Sequence, residues 1–229
     1  MKLVHHLIEN ELLKEDQTAG VLVVEKTGFL PQLVRQLAEQ LDGLDGSYVL
    51  SEQFRELALP KFLSLNYSVL NLEHNPRRAL NALYKQLLKH IAEVELSYEL
   101  QDLFNQLSQK LNQILNEAGV ELAELQHPEW DSILKFYDVR FKAQFDSLEE
   151  EVCDYCRMLN HYLGLRVFVF VHCLAFFSIE TLELLRKQMA YDGLQILFME
   201  SNLPEGVCPE GYGVLIIDQD LCEITKNPV

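Results

Sequence analysis

Basic residues are scarce in this sequence of 229 residues. It contains 19 lysines and arginines against 35 aspartates and glutamates, which gives a formal net charge of −16. A diffuse acidic surface repels nucleic acids and acidic membranes. Any polyanionic partner must therefore meet a local patch of basic residues.

Long apolar runs are also missing. The longest, Val167 to Phe177, is interrupted by His172 and falls far short of the roughly 20 residues that a membrane-spanning helix needs. The opening "MKLVHHLIEN" lacks the charged-then-apolar pattern of a signal peptide. Since 48% of the residues are apolar, a hydrophobic core is expected. We therefore expect a soluble cytoplasmic protein that does not bind a membrane.

The chain has only 5 cysteines, an odd number that indicates reduced thiols where no export signal is present. Cys153 and Cys156 form the only CxxC motif, and it lies inside a helical pattern. No second pair completes a four-cysteine zinc site. We interpret the two cysteines as half-buried residues of a helix.

A phosphate-binding loop is absent as well. A nucleotide hydrolase carries GxxxxGK[ST] after its first strand, whereas the turn "VVEKTGFLPQLV" has one glycine, Gly28, and no Gly-Lys-Ser/Thr. The strand Val167 to Val171 runs into His172 and Cys173, where such enzymes place a magnesium-binding acid. Both halves of the site fail, so we expect no bound nucleotide and interpret His172 as a structural, hydrogen-bonded residue.

Other catalytic motifs do not replace it. Neither GxSxG nor HExxH occurs in the sequence. Asp218 and Asp220 could pair, but a hairpin turn is the commoner reason for two aspartates at that spacing. The sequence therefore predicts that the protein is not an enzyme.

The outer parts of the chain alternate between strand and helix. "AGVLVVEK" reads as a buried strand, and "FLPQLVRQLAEQL" has apolar residues at the spacing of a helix that lies on a sheet. After Gly164 the strand, helix and strand patterns return in "LRVFVFV", "SIETLELLRKQMAY" and "LQILFME". Residues 1–73 and 164–229 are thus predicted to form an α/β head with a mostly parallel sheet.

The middle of the chain is helical almost without a break. One stretch runs from Pro76 to about Gly119 and a second from about Glu129 to Leu163, with breakers between them. They predict an antiparallel hairpin, residues 74–163, that is inserted into the head as a leg. Two helices are too thin to bury all of their apolar stripe alone, which favours a homo-oligomer.

One segment reverses the overall sign of charge. Residues 74–92 contain Arg77, Arg78, Lys85 and Lys89 and no acidic residue. Arg78, Lys85 and Lys89 are separated by seven and four residues, so they share one face of a helix. Such a row is either an ordinary solvated face or a surface that contacts a polyanion.

The C-terminal third resembles the closing segment of the type II-A CRISPR adaptation proteins, the Csn-two family. "LRVFVFVHCLAFFSIETLELLRKQMAYDGLQILFMES" and then "LIIDQDLCEITKN" show a buried strand, an aromatic loop, a helix, a strand that ends in an acid and an aspartate hairpin. The length, the helical insertion and "VLVVEK" extend the resemblance to the whole chain. The matching positions are Ala175, Phe176, Glu180, Glu200, Asp218 and Asp220.

The resemblance implies a degenerate P-loop-kinase-like head and a helical leg, assembled as a homotetrameric ring with a basic central hole. It implies binding of double-stranded DNA ends without sequence readout and without catalysis. The role is spacer acquisition in antiviral defense, beside the CRISPR integrase complex and the effector nuclease. The basic residues Arg77, Arg78, Lys85 and Lys89 would then bind DNA.

Two alternatives remain open. One is an acidic helical adaptor that binds only protein partners, and the other is a nucleotide-dependent enzyme with an unfamiliar site.

The resemblance also implies calcium near the junction of head and leg. The corresponding stretch, "NEAGVELAELQHPEWD", contains five carboxylates and no lysine or arginine. Carboxylate oxygens are the ligands that calcium prefers, although here they are spread out, and a solvated helix end explains them equally well. The candidate metal ligands are Glu117, Glu121, Glu124, Glu129 and Asp131.

Overall fold

The computed structural model describes residues 1–93, 96–119, 129–203 and 210–226. Among these residues, no helix combines the length and apolar character that a membrane crossing demands. In chain order the elements are β1 (Lys2–His5), β2 (Ala19–Val24), α1 (Phe29–Leu41), β3 (Tyr48–Glu52), β4 (Arg55–Leu57), β5 (Leu63–Asn66), α2 (Arg77–Glu93), α3 (Leu96–Glu117), α4 (Trp130–Phe136), α5 (Leu148–Leu163), β6 (Val167–Val171), α6 (Ile179–Tyr191), β7 (Gln195–Glu200), β8 (Gly213–Ile217) and β9 (Glu223–Lys226).

The chain divides into two compact units. The sheet unit combines Met1–His74 with Ala143–Val229, and the inserted unit is Asn75–Lys142. A helical segment thus interrupts an α/β body, in the order that the sequence indicates.

A six-stranded sheet forms the centre of the sheet unit, in the order β5-β6-β7-β2-β8-β9. The first five strands are parallel, and β9 runs antiparallel to β8. Every residue of β2, β6 and β7 is buried, as expected for strands that are covered on both faces. The prediction of an α/β fold with a mostly parallel sheet is confirmed.

The two faces of this sheet carry different layers. On one face, α1 and the antiparallel sheet β1-β3-β4 share a core with residues such as Leu33, Leu50 and Val169. On the other face, α5 and α6 share a core with residues such as Leu185 and Phe168. The hairpin β3–β4 and the pair α5–α6 therefore lie on opposite sides of the sheet.

Helix α5 belongs to the sheet unit. Val152 and Cys156 are fully buried in the core that contains the sheet residue Phe168. The sequence placed residues 143–163 in the leg, because the helical period is the same whether a helix packs on a helix or on a sheet. The packing of α5 instead ends the inserted unit at Lys142.

The CxxC motif lies in the buried face of α5. Cys153 and Cys156 are both buried free thiols, more deeply than the half-buried position that the sequence predicted. Burial raises the pKa of Cys153 to about 11 and raises that of Cys156 well above its usual value. These thiols are therefore core residues and not reactive groups.

The inserted unit contains α2, α3 and α4. The phenol of Tyr84 donates to the carbonyl of Val139 over 3.1 Å, and Phe104 packs edge-on against Trp130 with ring centroids 5.4 Å apart. The second helical stretch is not continuous, since α4 ends at Phe136 and α5 begins at Leu148. Between these helices Asp138 has a left-handed backbone, with φ 51°, which no glycine or proline in the sequence announces.

Candidate nucleic-acid interface

In open parallel sheets, ligands bind beyond the carboxyl ends of the strands. Here the turn after β2 leads into α1, which begins at Gly28 with φ 81° and no side-chain cap. The amide of Phe29 already donates to the carbonyl of Lys26 over 3.1 Å. Pro31, at the third position of the helix, has no N–H to offer. The run of free amides that would surround a phosphate is therefore not formed.

Lys26 is also engaged elsewhere. Its ammonium group donates to the carbonyl oxygen of Gln219 over 2.8 Å, and the Gln219 amide donates to the carbonyl of Glu25. The turn after β2 is thus tied to the turn between β8 and β9. This arrangement leaves no lysine of the turn aimed at a bound phosphate.

A carboxylate does reach this edge of the sheet, from β7 rather than from β6. Glu200 is 5% exposed, and it accepts a hydrogen bond from the amide of Leu174 over 2.8 Å. Its other oxygen lies 3.6 Å from Nδ1 of His172. His172 has φ 54°, and its amide donates to the carbonyl of Met199 over 3.0 Å. Glu200 and His172 therefore hold the turn after β6.

Burial raises the pKa of Glu200, against the opposing effect of the amide of Leu174 and of His172. Because the folded-state pKa is raised, the cost of ionising this carboxyl is absent at acidic pH and appears as the pH rises through the folded-state pKa. Substitution E200Q keeps an acceptor for Leu174 and removes that cost. We expect E200Q to raise Tm at neutral pH, by about 2–4 °C for each kcal/mol gained.

Thermal unfolding from pH 4 to pH 8 measures this effect. The difference between E200Q and the parent should shrink toward the acidic end of the range. The control is E180Q, because Glu180 is an exposed acid that accepts from the hydroxyl of Ser178 over 2.7 Å. A lower Tm for E200Q at neutral pH would mean that the ionised carboxylate itself stabilises the turn.

The other positions that carry the resemblance are structural too. The carboxylate of Asp218 accepts from the amides of Asp220 and Cys222 over 2.9 Å and 2.8 Å, which is the geometry of a hairpin turn. Phe176, in the turn after β6, is half exposed. In the part of the chain that the structure describes, these groups form no catalytic pair.

The basic residues predicted to bind DNA lie together on α2. The structure places Arg77, Arg78, Lys85 and Lys89 on this helix with exposed side chains. The ion pairs among the described residues include a single one for this row, Lys89 with Glu93 at 3.7 Å. Leu83, Tyr84 and Leu87 are only partly exposed, so the basic row and the packed face occupy different sides of the helix. The row is open to an anionic partner.

The candidate metal ligands are only partly described. Glu121 and Glu124 lie outside the described residues. Glu117 and Glu129 are exposed, and the carboxylate of Asp131 pairs with Lys135 one turn further along α4. Among the described residues, no three potential ligands from histidine, cysteine, aspartate and glutamate come together.

A protein-family model agrees with this assignment of parts. The model described as CRISPR-associated protein (Cas_Csn2) matches residues 40–221, from the end of α1 to the hairpin of β8 and β9. The match covers most of the sheet unit and all of the inserted unit. It confirms the resemblance that the C-terminal motifs indicated. The chain belongs to the Csn2 family of type II-A CRISPR-associated proteins.

Proposed function

We propose that this protein, within the role in CRISPR adaptation that its family implies, forms a homotetrameric ring that holds double-stranded DNA ends. The observation that carries the proposal is the exposed basic row of α2. It stands in a segment without acidic residues, in a chain of net charge −16. The ring would contact phosphates and not base edges, so no base preference is expected.

The proposed role is binding without catalysis, alongside the CRISPR integrase complex and the effector nuclease. The edge of the sheet supports this part of the proposal, because Pro31 and the engaged Lys26 remove two elements of a phosphate site. The parallel strands and the turn between β2 and α1 support a degenerate P-loop-kinase-like head that has lost its nucleotide.

Self-association is supported by an exposed apolar stripe on α3. Leu103, Leu107, Leu111 and Ile114 recur every three or four residues on one face, and each is at least 42% exposed. Among the described side chains of the inserted unit, Ala79 is the only buried apolar one. An exposed stripe of this kind marks an interaction surface, and a second copy of the chain would cover it.

Calcium belongs to the proposal as a stabiliser of the assembly. Glu117, Glu129 and Asp131, with Glu121 and Glu124, supply oxygen ligands of the type that calcium takes. These carboxylates would repel one another less with a cation between them.

The closed ring is tested with two forms of the same DNA. A ring needs a free end to thread, so linear duplex should bind at least ten times more tightly than the covalently closed circle of the same sequence. A mobility shift with both forms measures the difference, and cutting the circle once should restore binding. Equal affinity for circle and linear duplex would contradict threading. No binding to either form would favour the protein-only adaptor.

A further inference from the structure

The tip of the hairpin β3–β4 has an unusual sequence for its conformation. Its two central residues, Gln53 and Phe54, have φ values of 48° and 64°. Two-residue turns with this backbone strongly favour Asn-Gly, and a bulky residue at positive φ is strained. Phe54 is also fully exposed to solvent, with a relative exposure of 105%. Folding of the isolated chain explains neither the strain nor the exposure.

Two contacts from outside the hairpin hold this tip in place. The carboxylate of Glu52 accepts two hydrogen bonds from the guanidinium of Arg166, over 3.0 Å and 2.9 Å. The amide of Gln53 donates to the carboxylate of Glu15 over 2.7 Å. The tip is therefore a fixed projection that presents the ring of Phe54.

A cavity of about 250 Å³ lies between α5 and α6. Leu185 and Cys153 are its buried apolar residues, and Leu184 is an exposed wall, 57% accessible. Because α5 and α6 cover one face of the sheet and β3 lies over the other, Phe54 does not reach this cavity in its own chain. The full lining is Glu149, Glu150, Cys153, Arg157, Leu184, Leu185 and Gln188.

The charges beside the projection and beside the cavity are complementary. Arg55, next to Phe54, takes part in no ion pair among the described residues, and neither do Glu149 and Glu150 at the rim of the cavity. Arg157, at the other side of the cavity, is already paired with Asp154 and Asp192. The free guanidinium thus has free carboxylates to meet.

We propose that Phe54 of one copy inserts into the cavity between α5 and α6 of a second copy, with Arg55 beside Glu149 and Glu150 at the rim. The inference deepens the proposed self-association and rests on it. Each copy carries one projection and one cavity, so the contact is reciprocal in a twofold pair or repeats around a ring.

Substitution F54S tests the projection, with sedimentation equilibrium as the measurement. Loss of a buried aromatic anchor should raise the dissociation constant of this contact about 30-fold or more. Because Phe54 is fully exposed in the single chain, its Tm should not fall. The control is L44S, which removes an apolar side chain that is 60% exposed. An unchanged mass distribution for F54S would overturn the proposal.

Charge reversal tests the rim. R55E and the double variant E149K/E150K should each weaken self-association, and the three changes together should restore it. Failure of the combination to restore association would overturn the proposed pairing.

DNA binding by F54S separates this inference from the proposed function. If F54S keeps its mass but binds DNA ends more weakly, Phe54 stacks on DNA and the contact between copies is wrong. If the parent itself is a monomer, the proposed ring fails as well.

Discussion

The variant R78A/K85A/K89A should bind linear duplex DNA much more weakly than the parent, and its binding should depend less on salt. Each phosphate contact contributes about −0.9 to the slope of log K against log salt, so three lost contacts reduce the slope by about 2.7. Between about 50 and 200 mM salt, the parent should therefore lose roughly 40-fold more affinity than the variant. Fluorescence anisotropy across this range measures both quantities.

The control must remove the same charge elsewhere. The variant K61A/K187A/K226A changes three exposed lysines of the sheet unit and gives the same net charge. It should keep the slope and nearly all of the affinity of the parent. Because Arg78, Lys85 and Lys89 are exposed, the first variant should also keep its mass and Tm. Parental affinity and slope in that variant would mean that DNA does not contact α2.

The second large effect is expected on assembly. Substitution L107E/L111E places two carboxylates in the apolar stripe of α3, where the parent side chains are 55% and 42% exposed. Burying unpaired charges between copies costs far more than leaving them in water. The parent should sediment as a tetramer, and the variant should approach the monomer mass of 26.5 kDa at micromolar concentration. Analytical ultracentrifugation measures this mass.

Substitution N105E/Q109E is the matched control, since it adds the same charges to exposed positions on the opposite face of α3. It should leave the mass unchanged. A variant L107E/L111E with the parental mass would show that the stripe is not an interface.

The calcium proposal uses the same instrument. Chelation should lower both the mass and the Tm of the parent, and E129Q/D131N should respond less to chelation than the parent does. If chelation changes neither quantity, these carboxylates bind no calcium that matters for assembly.

Much of the sheet unit could be predicted from the sequence, because buried parallel strands are continuous apolar runs. Val167–Val171 is the plainest case, and all five of its residues are buried. The missing phosphate site was also visible, since it depends on a local motif. The structure adds the reason why the turn cannot serve in another way, namely the bonds of Lys26 and the position of Pro31.

Partners distant in the chain were harder to predict. The apolar period of α5 showed a helix but not that Val152 and Cys156 pack on the sheet. The start of α5 did carry a local signal, because Ser147 accepts from the amide of Glu150 over 3.3 Å as a helix cap. Glu200 ends its strand as the sequence indicates, yet only the fold shows that its carboxylate accepts a backbone amide.

The strand order has a consequence for synthesis on the ribosome. Strand β2 is made early, but both of its neighbours, β7 and β8, come from the last part of the chain, and Ala19 pairs with Ile196. A nascent chain therefore carries an apolar strand without its sheet until translation is nearly complete. Contacts of such long sequence separation form slowly and leave aggregation-prone edges exposed. The inserted unit is complete once Lys142 has emerged, so we expect it to acquire its helices before the sheet closes.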